Sequence, residues 1–224
     1  MRCYLAYLFI FIYFILSIIH LYHSYIDDKE KRKKTKPFLI LALLLYYICA
    51  TKNISLLVIF TLICCSIGDI ALTKKGHKYF VIGGISFLIA HILLIFLYSK
   101  RIILESIYWP VTILIMLLYL YGIYKTMKLV KNNISNKMMV AMVLYLACNF
   151  IMNTFAIMQL QSDNSLGEFI IVFAALLFFI SDCALFIVRY SGKDDIVYHN
   201  HFFVMLTYLL SMLLICKGIL ILGI

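Results

Sequence analysis

The chain has 224 residues, 65% of them hydrophobic and 13% charged, with a formal net charge of +10. A water-soluble domain is usually about 45–50% apolar and about 25% charged, so a soluble globular enzyme, a secreted disulfide scaffold and a DNA-binding domain are all excluded. What remains is an integral membrane protein. Two Pro and nine Gly interrupt long runs of Ile, Leu, Phe and Tyr. Such runs predict helical spans and not the roughly ten-residue alternating segments of a barrel.

Residues 3–26 form the first apolar stretch, with Arg2 ahead of it and no small-x-small cleavage site behind it. A retained helix is expected there in preference to a signal peptide. Apolar runs follow at 37–51, 54–73, 80–98, 105–124, 138–160, 168–190 and 201–223, each near the roughly 20 residues that cross a bilayer except the short second one. The predicted fold class is therefore all-α, a polytopic membrane bundle of about eight transmembrane helices in a single domain over residues 1–224. Pro110 is read as the only proline inside a helix, with Lys36-Pro37 opening the second one.

The basic residues lie in short loops, where they orient the chain against the bilayer and imply no nucleic acid. Fifteen of the 20 Lys and Arg fall in the loops after the first, third, fifth and seventh spans, six of them between Lys29 and Lys36. Because cytoplasmic loops carry the excess of Lys and Arg, those loops are expected inside and both termini outside, in the plasma membrane if the cell is bacterial. The seven cysteines (Cys3, Cys49, Cys64, Cys65, Cys148, Cys183 and Cys216) are odd in number, lack a C-x-x-C spacing and sit in apolar stretches. They read as reduced packing residues.

A charge inside the hydrocarbon costs about 2.5–3.5 kcal/mol even on a lenient scale, so an acid within a span is a functional candidate. Asp69 lies in Ser66-Ile67-Gly68-Asp69 about one turn before Lys74, and Asp182 follows Ser181 about two turns before Arg189. Helix rise puts both carboxyl groups about 7–11 Å inside the cytoplasmic boundary. Each could merely neutralise a lysine, but two at matched depth, each near a small or hydroxyl residue, point to one shared site. Ser66 shares a face with Asp69 and could orient its carboxyl, and Gly68 would allow close approach.

Phe80, Gly83, Phe87 and His91 form one stripe within about 80° of the fourth helix, and Tyr145, Asn149, Met152 and Ala156 one within about 60° of the sixth. His91, about several Å deeper than both acids by helix rise, is expected to orient an acid or water through a hydrogen-bond chain. Asn149 and Asn153 could instead serve as interhelical glue. The other histidines are scattered, and no H-x-x-x-H, H-E-x-x-H, phosphate-cradling Gly-rich loop or G-x-S-x-G elbow occurs, so no metal is expected.

Taken in order, Lys36-Pro37, Ser66-x-Gly68-Asp69, the Phe80/Gly83/Phe87/His91 stripe, Tyr145 with Met152 and Ala156, Ala175 to Ser181-Asp182, and Thr207-Tyr208 resemble the lysoplasmalogenase family, the YhhN-like group of multi-pass membrane proteins. Two positions depart from that pattern, Ala174 in place of a Gly and Met212 in place of a Gln. The resemblance implies hydrolysis of the vinyl ether of a lysoplasmalogen to a fatty aldehyde and a glycerophospho-choline or -ethanolamine, with a lysophospholipid substrate, membrane lipids as surroundings and no cofactor. It also brings Tyr208 into the expected site. The chemistry suits two carboxyl groups, since a buried carboxylic acid can protonate the vinyl β-carbon while an ionised one stabilises the oxocarbenium ion or activates water. Lys74, Lys75, Lys78 and Arg189 are expected to form a rim for the head group, and the apolar faces of the fourth and sixth helices to hold the chain.

Two other classes use paired membrane aspartates. An intramembrane aspartyl protease would need G-x-G-D where Ser66-x-Gly68-Asp69 stands, and Tyr where Ser181 precedes Asp182. A proton-coupled transporter would be expected to show paired repeats and broken helices, which the sequence lacks.

Overall fold

The structure, a computed structural model, describes residues 2–74, 76–193 and 196–223. Among these there are eight α-helices: α1 (Arg2–Tyr25), α2 (Lys29–Ala50), α3 (Leu56–Thr73), α4 (His77–Ser99), α5 (Trp109–Val130), α6 (Asn136–Asp163), α7 (Leu166–Tyr190) and α8 (His201–Leu222). The all-helical bundle expected from composition is borne out. Seven of the helices are long and apolar enough to cross a membrane, and α2 is the exception.

The second helix corrects the sequence reading. It begins at Lys29, so most of the expected basic loop is helical and Pro37 lies inside the helix, while Pro110 sits in the first turn of α5. The side chain of Asp28 accepts the Lys31 N–H as an N-cap, and Glu30 adds a favourable charge in the first turn. That backbone hydrogen bond also holds the Asp28 carboxyl below the usual carboxylate range. Pro37 has no N–H to donate to the Lys33 carbonyl, so one hydrogen bond is missing from the N-terminal part of the helix. Helix α2 nonetheless runs the length of its neighbour α3. At one end the Lys36 ammonium meets Asp69, and at the other the Tyr47 hydroxyl accepts the Ser55 N–H at 3.0 Å. Its basic turns stand at the end of the bundle, which is why a hydropathy window misses it.

Seven helices close a ring in the order α1, α2, α3, α4, α6, α7, α8 and back to α1, with α5 outside against α6 and α7. The connection between α4 and α5 is fastened onto α6: Ile103 N–H donates to Ser162 and Tyr108 N–H to the Gln161 side chain. Arg101 bridges Asp163 (2.8 Å) and the fully buried Glu168 (3.2 Å), which completes a capping box with Ser165 at the start of α7. Helices α7 and α8 nearly touch at that end, where a Cβ on Gly218 would come 2.8 Å from the Gly167 carbonyl oxygen.

The exterior is apolar, with Ile63, Ile67 and Ile70 of α3 and Leu114, Leu117 and Leu118 of α5 exposed, as a lipid-facing surface requires. Polar groups turn inward. Thr61, Thr126 and Thr207 donate to carbonyls of their own helices, which satisfies each hydroxyl without water. The ring interior is therefore free to carry two acids near one end.

Candidate active site

Asp69 and Asp182 line one cavity of about 350 Å³ at the end of the bundle where α1, α3 and α7 finish and α2 and α8 begin. Both side chains are buried. Burial of two carboxyl groups in a lipid-embedded bundle demands specific partners, and each has a different set. Asp69 Oδ1 lies 3.3 Å from the Lys36 ammonium, and its Oδ2 accepts the Tyr208 hydroxyl at 2.9 Å. Asp182 Oδ2 accepts the Tyr145 hydroxyl at 3.0 Å and the Asn149 amide at 2.6 Å. One carboxyl is thus matched by a cation, the other by neutral donors.

The Asp182 partners belong to a chain across the ring interior. Asn153 donates to the Asn149 side chain at 2.7 Å and accepts the Tyr119 hydroxyl at 2.8 Å, so the two asparagines join α6 to α5 and α7. Their role as helix glue and their contact with the acid coincide. His91 Nε2 sits 3.6 Å from Asp182 Oδ2, between the rings of Phe178 (4.7 Å between centroids) and Tyr145 (5.3 Å).

By helix rise His91 still stands farther from the cavity end along α4 than Asp182 does along α7, yet the two side chains meet. Side chains on a helix lean toward its N-terminus. Helix α4 starts at the cavity end and α7 ends there, so His91 leans toward the cavity and Asp182 away from it. The two meet although their Cα levels differ.

Gly68 and Gly83 lie where α3 and α4 cross closely. A Cβ on Gly68 would fall 2.7 Å from the Phe87 ring, and one on Gly83 would fall 3.0 Å from Leu72. Phe87 is thereby pressed into the cavity wall, edge-on to Tyr208 (5.8 Å) and Phe178 (6.4 Å). Ser181 lines the cavity and donates to the Val204 carbonyl at 2.9 Å, tying α7 to α8. Ser66 does not orient Asp69, whose partners are Lys36 and Tyr208.

The rim differs from the expected one. Lys74 and Arg189 line the cavity, Lys78 does not, and Lys75 lies outside the described residues. Lys29, Arg32, Lys33 and Lys36 of α2 supply the rest, with His20 and His201 beside them. Sequence reasoning treated this basic run only as a topology signal. Its i, i+3, i+4, i+7 spacing was available as a sign of one helical face.

A second, almost wholly apolar cavity of about 240 Å³ opens between α4, α6 and α7. Leu72, Phe87 and Leu185 line both cavities. Tyr145 lines the apolar one with its ring while its hydroxyl bonds Asp182.

The model of the YhhN family matches residues 32–219. The chain belongs to that family. The YhhN family is the family of lysoplasmalogenases, and the matched span holds Lys36, Asp69, His91, Asp182 and Tyr208, whereas α1 with His20 lies outside it. The two positions that depart from the expected YhhN pattern, Ala174 and Met212, are buried in the core and do not line the polar cavity. No curated protein and no solved structure matches the chain.

Proposed function

We propose that the protein hydrolyses the vinyl ether of a lysoplasmalogen, with Asp182 as general acid and Asp69 as the carboxylate that receives the water proton. The observation that carries this reading is that two buried carboxyl groups with unlike partners share one cavity. Asp69 is held by the Lys36 ammonium, the arrangement that suits an anion. Asp182 is held by a phenol and an amide, and the contacts from Tyr145, Asn149 and His91 all fall on Oδ2. Oδ1 is left for the proton.

In the reaction Asp182 donates its proton to the β-carbon of the vinyl ether, and the electron pair of the double bond forms the new C–H bond. The α-carbon and ether oxygen then share the positive charge as an oxocarbenium ion, which the Asp69 carboxylate stabilises. Water adds to the α-carbon as Asp69 takes up its proton, giving a hemiacetal. Collapse breaks the bond between the α-carbon and the glycerol oxygen as Asp69 gives that oxygen its proton and Asp182 takes the hemiacetal hydroxyl proton, which releases aldehyde and alcohol and restores both groups. The protons lost and gained balance, and no oxidant or cofactor enters.

The size of the site supports a lipid reading. Ligand cavities run about 300–1,000 Å³, and the polar cavity of about 350 Å³ adjoins an apolar one of about 240 Å³. A glycerophosphate at the basic rim with its chain between α4 and α6 would bring the first chain carbons past Phe87 to the acids. The test is aldehyde release from a lyso-vinyl-ether lipid by the detergent-solubilised protein. Asp69→Asn and Asp182→Asn should each lower turnover by at least about a hundredfold while the protein stays folded, since proton transfer by a positioned group is worth about 10²–10⁴. Near-normal activity in either variant would defeat the two-carboxylate mechanism, and intact lipid with the parent protein would favour a transporter.

A further inference from the structure

The two cavities are parted by side chains alone. Leu72 of α3, Phe87 of α4 and Leu185 of α7 line both, and Tyr145 presents its ring to the apolar cavity while its hydroxyl bonds Asp182. Phe80, on the apolar side, carries at 4.2 Å the guanidinium of Arg189, which lines the polar side. A chain leaving the acids thus meets apolar side chains and no backbone barrier.

On its other side the apolar cavity reaches the outside of the bundle. Val81 and Ile85 of α4 line it and are 40% and 52% exposed, and Leu144 of α6 is 63% exposed. Gly84 lies between the first two in sequence, and a Cβ on it would meet no atom within 4 Å. Lipid tails are as apolar as leucine, so they can fill such an opening in a membrane bundle without a solvation penalty.

The level of the opening matches that of the acids. Gly84 stands about 10 Å and Leu144 about 12 Å along their helices from the cavity end, against about 6 Å for Asp69 and about 12 Å for Asp182. Because α4 follows α3 and α6 follows α5, no connection joins α4 to α6 at that end. A lipid can slide in between them with its head group kept at the level of the helix ends.

We propose that the apolar cavity is a side port: the hydrocarbon chain of a lysolipid enters it from the bilayer between α4 and α6, past Gly84, and rests there with its far end still in the membrane. The proposal deepens the reading above and rests on it for the reaction, while the port itself can be tested without any chemistry.

The first experiment irradiates the purified full-length protein in lipid nanodiscs with a lysophosphatidylcholine that lacks a vinyl ether and carries a diazirine midway along its chain. Adducts on Ile85 and Leu144 should be lost when excess unlabelled lysophosphatidylcholine is added, whereas those on Leu114 and Leu117 of α5, ordinary lipid-facing positions, should persist. Gly84→Leu with Ala141→Leu, which fills the opening from both helices, should remove the competed adducts. Port adducts that compete no better than those on α5, or that survive the double variant, would overturn the proposal. The second experiment follows aldehyde release. The double variant should lower kcat/KM at least about tenfold for a long-chain lyso-vinyl-ether lipid and less than about twofold for a water-soluble short-chain one, whose chain ends before the port. An equal loss for both lipids, or no loss for the long one, would also overturn it. Competed adducts in the port without aldehyde release from any vinyl-ether lipid would instead defeat the hydrolase reading and leave the port standing.

Discussion

The Lys36 ammonium and the Asp69 carboxylate meet at 3.3 Å across the junction of α2 and α3, with both side chains largely withdrawn from solvent. Removing one partner of such a pair leaves an uncompensated buried charge. Lys36→Met should therefore destabilise the protein by about 3 kcal/mol and remove most of the turnover. Adding Asp69→Asn should restore much of the stability without restoring activity. Unfolding in mixed micelles, followed by helix content, checks this, and a Lys36→Met variant as stable as the parent would show the pair to be slack.

His91 touches Asp182 at 3.6 Å but lies outside the cavity lining, so it acts on the acid and not on the substrate. His91→Gln should reduce turnover by about tenfold, less than the hundredfold or more expected of Asp182→Asn, and should alter the pH profile more than KM. Equal inactivity of the two variants, both correctly folded, would place the chemistry on the histidine.

Gly68 faces the Phe87 ring at a separation that a Cβ would reduce to 2.7 Å. Gly68→Ala should force the ring toward the acids, lowering both activity and stability, the latter by about 1–3 kcal/mol as overpacking does. Adding Phe87→Leu should recover stability because the shorter side chain gives way. An active and stable Gly68→Ala would mean that the ring moves freely.

The cavity end is expected to face the cytoplasm. The two helices that begin and end the chain point away from it, since His20 near the end of α1 and His201 at the start of α8 both line the cavity, and positive charge gathers on the cytoplasmic side. In a variant with Cys3→Ser, a cysteine at position 33 should react with an impermeant maleimide only after the membrane is permeabilised. Labelling in intact cells would reverse the orientation.

The fold was legible in the sequence because lipid imposes a simple rule: runs of Ile, Leu and Phe near 20 residues must be helices. Seven spans follow from that alone. Helix α2 was misjudged because its first turns carry Lys29, Arg32, Lys33 and Lys36, which a hydropathy reading assigns to a loop, whereas the Asp28 cap and the packing of Leu39, Leu43 and Tyr47 decide a continuous helix. Asp69 and Asp182 were visible as charges that hydrocarbon penalises.

What no linear reading supplied is who meets whom. Lys36 reaches Asp69, Tyr208 bonds the same carboxyl, and Asn149, Tyr145 and His91 gather on Asp182. These meetings depend on the ring order of the helices and on opposite helix directions that tilt His91 and Asp182 toward each other. Residue spacing determines the face a side chain occupies, and only the packing of one helix against another determines what that face meets.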